Sequence, residues 1–407
     1  MVGCAVDGVR RILLGVVVAV AAALVGAGPA GAEPVAFPIP DPDPFYSVPA
    51  DLPARAPGDV LRVRPLPPSY YFPGSTVWEV LFRTTDSLGR PIAANSTFVR
   101  PANHVPDGPL VSYQHIINSL GTKCKLVNEL YTTDPLHQIR EAAGLNLALA
   151  RGWAVALPDH LGPRMAYGAA KLGGQITLDG IRAVQRVPEL QVAGSPVGLG
   201  GYSGGGMATA WAAALAPTYA PELSIVGAAV GGAPLNLVKM GEALGTDAHP
   251  AFGLAMAAAL GLEREYPKRI LVTEQLNAQG RLLKQRIGNG CTNEIMFFGL
   301  GRSAAEMTDN TDFMQDPQAW EVLAENSVEL YPGVPEAPLF EWHSPTDTLI
   351  PVDSIEATMR RYCDAGLPVQ SLLTPTPDHL SAAALGLPQG VAWMDARFRG
   401  EPAPSTC

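Results

Sequence analysis

Charge is scarce in this chain. Asp, Glu, Lys and Arg make up only 16% of its 407 residues, and the cations are the smaller share, 28 against 38 acids. A net charge of −10 is repelled by phosphate backbones, which removes nucleic acid from the expected partners. It also gives anionic lipid surfaces no general attraction. Cysteine is sparse, with five residues, and no C-x-x-C pair or His/Cys cluster suggests a metal site. No internal repeat is present. Long apolar runs are missing too, apart from Ile12 to Val25 near the N-terminus.

That one run follows Arg10 and Arg11 and leads to the small residues Ala30-Gly31-Ala32. A charged start, a short apolar middle and an A-x-A site predict a secretory signal over residues 1–32, cleaved between Ala32 and Glu33. A membrane anchor would need ~20 apolar residues. Losing Asp7, Arg10 and Arg11 with the leader takes the net charge from −10 to −11. Cys4 leaves as well, so Cys124, Cys291, Cys363 and Cys407 remain. An even number in an exported chain predicts two disulfides, and arithmetic leaves all three connectivities open. One glycosylation sequon, Asn95-Ser96-Thr97, is present.

What the chain has in quantity is glycine and proline, 42 and 39 residues, with 47% hydrophobic residues, the composition of a compact body with rigid loops. Residues 33–73 are proline-rich and predict an extended arm. "TVWEVLFRTTD" and "PIAANSTFVRP", joined by "SLGR", predict a hairpin, and "PLVSYQHI" a third strand. From about residue 139 helical and strand-like segments alternate: "IREAAGLNLALARG", "WAVALPDH", "ITLDGIRAVQRV", "PVGLGGYS", "GGGMATAWAAALAP" and "LSIVGAAVGGAP". "APLFEWHS", "SIEATMRRYCDAG", "VQSLLTPT" and "GVAWMDARFRG" resume that order near the C-terminus. Such alternation predicts an α/β fold with a mostly parallel central sheet and helices on both faces. Between about 235 and 335 the rhythm becomes purely helical. The expected organisation is a body over 33–234, a helical cap inserted over 235–335, and the rest of the body over 336–407.

The stretch "GLGGYSGGG" admits two chemistries. A dinucleotide fingerprint needs a sixth-position glycine where Ser203 stands, and a phosphate loop needs a lysine that is absent. The pentapeptide Gly201-Tyr202-Ser203-Gly204-Gly205 fits G-x-S-x-G instead, with a strand before it and a helix after. In that context the serine sits on a sharp turn with its Oγ exposed, and the glycines let strand and helix close on each other. A serine hydroxyl needs a base and an acid to orient that base, in the chain order Ser, Asp or Glu, His. After "FEWHSPTDTLIP" the only histidine is His379, the expected base. Asp347, just past a strand, is the preferred acid, with Asp353, Asp364 and Asp378 as alternatives. His343 is expected to pack at a strand end. The backbone N–H of Gly204 is the first expected oxyanion donor. Asp159 and His160, after another strand, are candidates for the second, against an ordinary turn.

Taken together, "DPFYSVPADL", "GWAVALPDHLGP", "GGYSGGGMATAWAAALAPTYAPEL", "GGAPLNL", "HSPTDTLIPVD" and "DHLSAA" resemble the secretory lipase family. The resemblance implies an α/β-hydrolase body with a helical cap, the triad Ser203, Asp347 and His379, and an oxyanion hole from Gly204 and Asp159. It further implies the pairings Cys124–Cys291 and Cys363–Cys407, and hydrolysis of triacylglycerols or simpler esters without cofactor or metal. Two departures stand out. Gly204 follows the nucleophile where many lipases carry a larger residue, and the histidine segment lacks a glycine often found there. The expected function is a secreted serine ester hydrolase acting through an acyl-enzyme. An extracellular acyltransferase with the same triad and a non-catalytic lipid-binding module are the alternatives. Within the cap, "AFGLAMAAALGL" suits a lipid-facing lid, and plain helix packing accounts for it equally well.

Overall fold

The computed structural model describes residues 37–131, 142 and 144–407. The leader with its cleavage site, and most of the first half of "IREAAGLNLALARG", lie outside the described residues. The strands are β1 (Val60–Leu66), β2 (Ser75–Thr85), β3 (Pro91–Pro101), β4 (Leu110–Gln114), β5 (Ala154–Pro158), β6 (Val197–Tyr202), β7 (Ile225–Gly231), β8 (Leu339–His343) and β9 (Val369–Leu373). They form one nine-stranded sheet in the order β1-β2-β3-β5-β4-β6-β7-β8-β9. The first three pairings across it are antiparallel, and the five from β5–β4 to β8–β9 are parallel. The chain therefore passes from β4 outward to β5 and then back across to β6.

The longer helices are α1 (Ala170–Gln185), α2 (Gly204–Tyr219), α3 (Leu237–Leu244), α4 (Phe252–Glu265), α5 (Ala278–Ile287), α6 (Thr292–Gly299), α7 (Pro317–Glu325), α8 (Val352–Asp364) and α9 (His379–Phe398). α1, α2 and α8 cover one face of the sheet, with Ile176, Ile181, Trp211, Ile355 and Tyr362 packed on Phe82, Leu110, Leu199 and Val230. α9 and a helix over 144–149 cover the other, with Trp393, Met394, Leu145 and Leu149 against Val111, Val155, Ala229 and Phe340. Burying each such side chain contributes roughly 1.5–3 kcal/mol. α2 is buried on every side from Gly204 to Leu215, which is why its sequence is apolar all round rather than amphipathic. The sheet is mixed α/β and mostly parallel, as its alternating segments imply.

Three local readings differ from the sequence. The expected arm contains β1, which pairs with β2. Its pattern is masked because Val63 and Pro65 take the exposed positions while Arg62 and Arg64 take half-buried ones, Arg64 pairing with buried Glu79. The proline is tolerated because β1 is an edge strand. α2 continues past Pro217 to Tyr219, since a proline in the final turn removes only one bond. α9 begins eleven residues before Gly390 and runs through Pro388, with His379 as its first residue.

α3 to α7 all lie in the chain between the neighbouring strands β7 and β8. "AFGLAMAAALGL" forms most of α4, and no residue of it is exposed; Phe252, Met256, Ala257 and Leu260 are buried. Helix packing accounts for this stretch. The four cysteines pair as Cys124–Cys291 and Cys363–Cys407. Asn95 of the sequon is buried on β3, where its amide donates to Asp159 Oδ2 (2.6 Å) and Glu79 Oε1 (3.3 Å). It is a structural hydrogen-bond donor in the folded chain.

Candidate active site

β6 ends at Tyr202, α2 starts at Gly204, and Ser203 makes the turn between them with φ +56° and ψ −124°. A positive φ in a serine stores roughly 1–3 kcal/mol of strain, which the surroundings must over-determine. They do so with backbone bonds on both sides: Ser203 N–H donates to Gly231 C=O (2.9 Å), and Ser203 C=O accepts from Met207 N–H (2.9 Å). The glycines make the crossing possible. A Cβ on Gly201 would lie 2.5 Å from Thr209 Oγ1, and one on Gly205 only 1.9 Å from Gln114 O at the end of β4.

His379 opens α9, and Asp378 caps that helix by accepting from Leu380 N–H and Ser381 N–H (both 3.0 Å). The imidazole packs on the Tyr202 ring, centroids 4.9 Å apart, so it lies against the residue preceding Ser203. Tyr202 Oη donates to His379 C=O (2.5 Å). Asp347 Oδ2 meets His379 Nδ1 at 2.6 Å, while Asp347 Oδ1 accepts from Leu349 N–H (2.9 Å) and Ile350 N–H (3.0 Å). Burial pushes the Asp347 carboxyl up, but the His379 bond and these two N–H donors outweigh it and hold the pKa below the usual carboxylate value. With Nδ1 committed to Asp347, His379 Nε2 is buried and has no hydrogen-bond partner among the described residues.

The other acids have separate places. Asp353 pairs with Lys239 (2.7 Å) on the surface, Asp364 ends α8, and Asp378 is the cap just described. His343 is buried with Nδ1 2.7 Å from Glu341 Oε1. Burial raises the Glu341 pKa, and the pair is closed off inside the sheet.

The acid loop and the histidine loop are tied together by hydroxyls. Ser344 Oγ donates to Thr376 C=O (2.6 Å), Thr346 Oγ1 to Pro377 C=O (3.2 Å), and both Thr374 N–H and Oγ1 to His343 C=O (2.9 Å each). Ser344, Thr374 and Thr376 are buried, so the Ser344–Thr376 and Thr374–His343 bonds are shielded from competing water, while the Thr346–Pro377 bond lies at the surface.

Asp159 does not stand at this turn as a free donor. Its Oδ2 accepts from Asn95 and its Oδ1 from Leu126 N–H (3.1 Å), while its own N–H donates to Asn95 C=O (3.0 Å). Burial pushes its carboxyl up to about 6. His160 Nε2 bonds His115 C=O (3.0 Å), and burial drives its pKa down to about 4. Both residues brace the loop after β4. That loop brings a residue the sequence reading passed over to the turn: a Cβ on Gly204 would lie 2.4 Å from Asn118 Oδ1, so a larger residue at 204 would push this amide aside. Asn118 is buried, and its Oδ1 has no partner among the described residues. A 180° flip of the amide presents Nδ2 to the same space. The signal was the position of "PLVSYQ" next to β6, which depends on strand order and not on spacing.

A strained serine on a strand–helix turn, an imidazole held by a carboxylate, and an amide beside the following N–H are groups that acyl transfer requires. Residues 136–406 match the family model described as secretory lipase. The chain belongs to the secretory lipase family. Relatives of this family include a probable inactive lipase, MT1628, of Mycobacterium tuberculosis, 32% identical over 89% of this chain and 83% of that one. Another is lipase 10 of Candida albicans, 31% identical over 90% and 83%. Candida antarctica lipase A in its closed state superposes with a TM-score of 0.83 at 27% identity, covering 90% of this chain and 89% of that one. The esterase LipA of Xanthomonas oryzae, at 18% identity and a TM-score of 0.66, shares the fold. This secretory lipase family member is accordingly an α/β-hydrolase of the lipase kind. The family, with a relative named secreted triacylglycerol lipase LIP3 from Malassezia restricta, supports an extracellular location.

Proposed function

We propose that the protein is a secreted serine carboxylic-ester hydrolase acting on triacylglycerols or simpler lipid esters through the triad Ser203, His379 and Asp347. The carrying observation is the 2.6 Å contact between Asp347 Oδ2 and His379 Nδ1, which leaves Nε2 unpartnered as a base. Ser203 Oγ attacks the ester carbonyl carbon while His379 Nε2 takes its proton. Asp347 keeps the imidazole in the tautomer with Nδ1–H and stabilises the imidazolium that forms.

Collapse of the tetrahedral intermediate expels the alcohol, which receives the proton from His379, and leaves Ser203 acylated. Water then attacks the acyl-enzyme with His379 again as base, releasing the carboxylic acid. For the oxyanion, the Gly204 N–H and the Asn118 amide are the donors we assign. Asp159, with its oxygens and N–H already engaged, supports the Asn118 loop from behind. Export follows cleavage near Ala32–Glu33, and residues 235–335 act as the cap over the site.

A fluorophosphonate probe and a p-nitrophenyl ester series from short to long acyl chains test this reading. The wild type is expected to label and turn over, and Ser203→Ala to lose at least about 10⁴-fold in kcat and all labelling. A wild type that neither labels nor hydrolyses any ester would overturn it and align the chain with the relative named inactive.

A further inference from the structure

The outer edge of the helical segment sets large apolar side chains beside uncompensated cations. α6 lies against α4 so closely that a Cβ on Gly299 would stand 2.1 Å from Gly253 Cα. This contact buries Ile295 and Gly299 and turns the opposite side of α6 outward. Met296, Phe297 and Leu300 are 48%, 76% and 65% exposed, and Leu282 on the adjacent α5 is 49% exposed. The Arg286 guanidinium bridges the two helices, 5.3 Å over the Phe298 ring.

Residues 281–302 contain Arg281, Lys284, Arg286 and Arg302 against Glu294 alone, a net +3 in a chain of net −10. Arg302 pairs with Glu306, and Glu294 with Lys123. Arg281 bonds Leu276 C=O and Lys284 bonds Thr273 Oγ1 (2.6 Å), so Arg281, Lys284 and Arg286 keep their charge uncancelled by any ion pair among the described residues. Protruding Phe, Met and Leu flanked by Lys and Arg are what an interfacial helix uses: the apolar tips enter the acyl boundary while the cations meet headgroup phosphates. A second copy of the chain would bring two cationic rims together, which Coulomb repulsion opposes.

We propose that the α5–α6 edge docks the protein on a lipid surface carrying anionic headgroups. The edge is also tied to the site. Cys291, the N-cap of α6, is bonded to Cys124, and Gly290 C=O accepts from Leu120 N–H (3.0 Å), two residues from Asn118. The proposal rests on the ester-hydrolase reading only for the substrate that docking would bring within reach.

The test is co-sedimentation of the Ser203→Ala protein with phosphatidylcholine vesicles, with and without phosphatidylglycerol, so that no turnover alters the lipid. At least about tenfold tighter partitioning onto the phosphatidylglycerol vesicles is expected, weakening as salt rises. Arg281→Gln with Lys284→Gln and Arg286→Gln should remove that preference, and Phe297→Ser with Leu300→Ser should abolish binding to both. Apart from half-buried Lys284 these side chains are exposed, and thermal unfolding like that of the parent would show the fold retained. Equal partitioning of parent and variants, or no binding of the parent to either vesicle, would overturn the proposal. Phe297-dependent dimers in light scattering without vesicle binding would assign the edge to a second copy instead. Ester hydrolysis by the unmutated chain is measured apart on a soluble p-nitrophenyl ester, so loss of either reading leaves the other standing.

Discussion

The amide that lies beside Gly204 is that of Asn118, and both oxygens of Asp159 are engaged by Asn95 and Leu126. Spacing suggests Asp159 for the second oxyanion donor and gives Asn118 no role. Asn118 is a neutral amide pressed against Gly204, so its removal should act on the transition state and spare folding. Asn118→Ala is expected to lower kcat for a p-nitrophenyl ester about 10²–10³-fold with little change in KM, read by steady-state kinetics. Asp159 should act on stability. Its folded pKa of about 6 lies above the 3.8 of an ordinary aspartate, because burial penalises the charged form. A raised folded pKa means the folded state holds this proton more tightly than the unfolded chain does. Its stabilisation is fully present below pH 3.8 and is lost as pH rises through about 6. Asp159→Asn should flatten the decline in Tm between those pH values, measured by calorimetry across the range. A variant whose Tm profile parallels the wild type would contradict this.

At the scale of elements, the site depends on how loop ends are clamped. The acid loop after β8 and the histidine loop before α9 come from opposite ends of a helix–strand unit, and hydroxyl-to-carbonyl bonds hold them in register. Ser344 is the buried centre of that latch. Ser344→Ala leaves Thr376 C=O without its donor and loosens the Asp347–His379 contact. The expected result is about a tenfold fall in kcat with KM unchanged, with Thr374→Val additive to less than its separate effect because the two share one network. A rise in KM at constant kcat would place the effect in substrate binding instead. Glycine plays the matching part at the elbow, where Gly201 and Gly205 let β6, β4 and α2 meet at distances no Cβ allows.

Across the whole molecule, the two disulfides do different work. Cys363–Cys407 fastens the C-terminal tail to α8, whereas Cys124–Cys291 joins the loop after β4 to the helices between β7 and β8 across 167 residues of sequence. Removing either as a double Cys→Ser variant should destabilise the fold by about 2–5 kcal/mol, seen in denaturant unfolding. Only loss of Cys124–Cys291 should also lower kcat at temperatures where the protein stays folded, since that bridge steadies the segment carrying Asn118. Equal kinetic effects of both pairs would contradict this assignment. The secretory lipase fold thus ties the loop that carries Asn118 to the helices between β7 and β8 by one covalent bond.

Local chemistry was legible in the residues themselves. Alternating segments implied a mostly parallel sheet, G-x-S-x-G between a strand and a helix implied the elbow, and a single histidine after Asp347 left one candidate base. Each depends on short-range pattern: periodicity, steric need for glycine, and chain order. Tertiary structure decided what depends on which strands lie side by side. The sheet order β5-β4-β6 sets the loop after β4, not the one after β5, beside Ser203, so Asn118 meets Gly204 while Asp159 turns to Asn95 and Leu126. Nothing in linear spacing records that crossover, because a chain that goes out and comes back leaves the same alternation of strand and helix as one that moves steadily across the sheet.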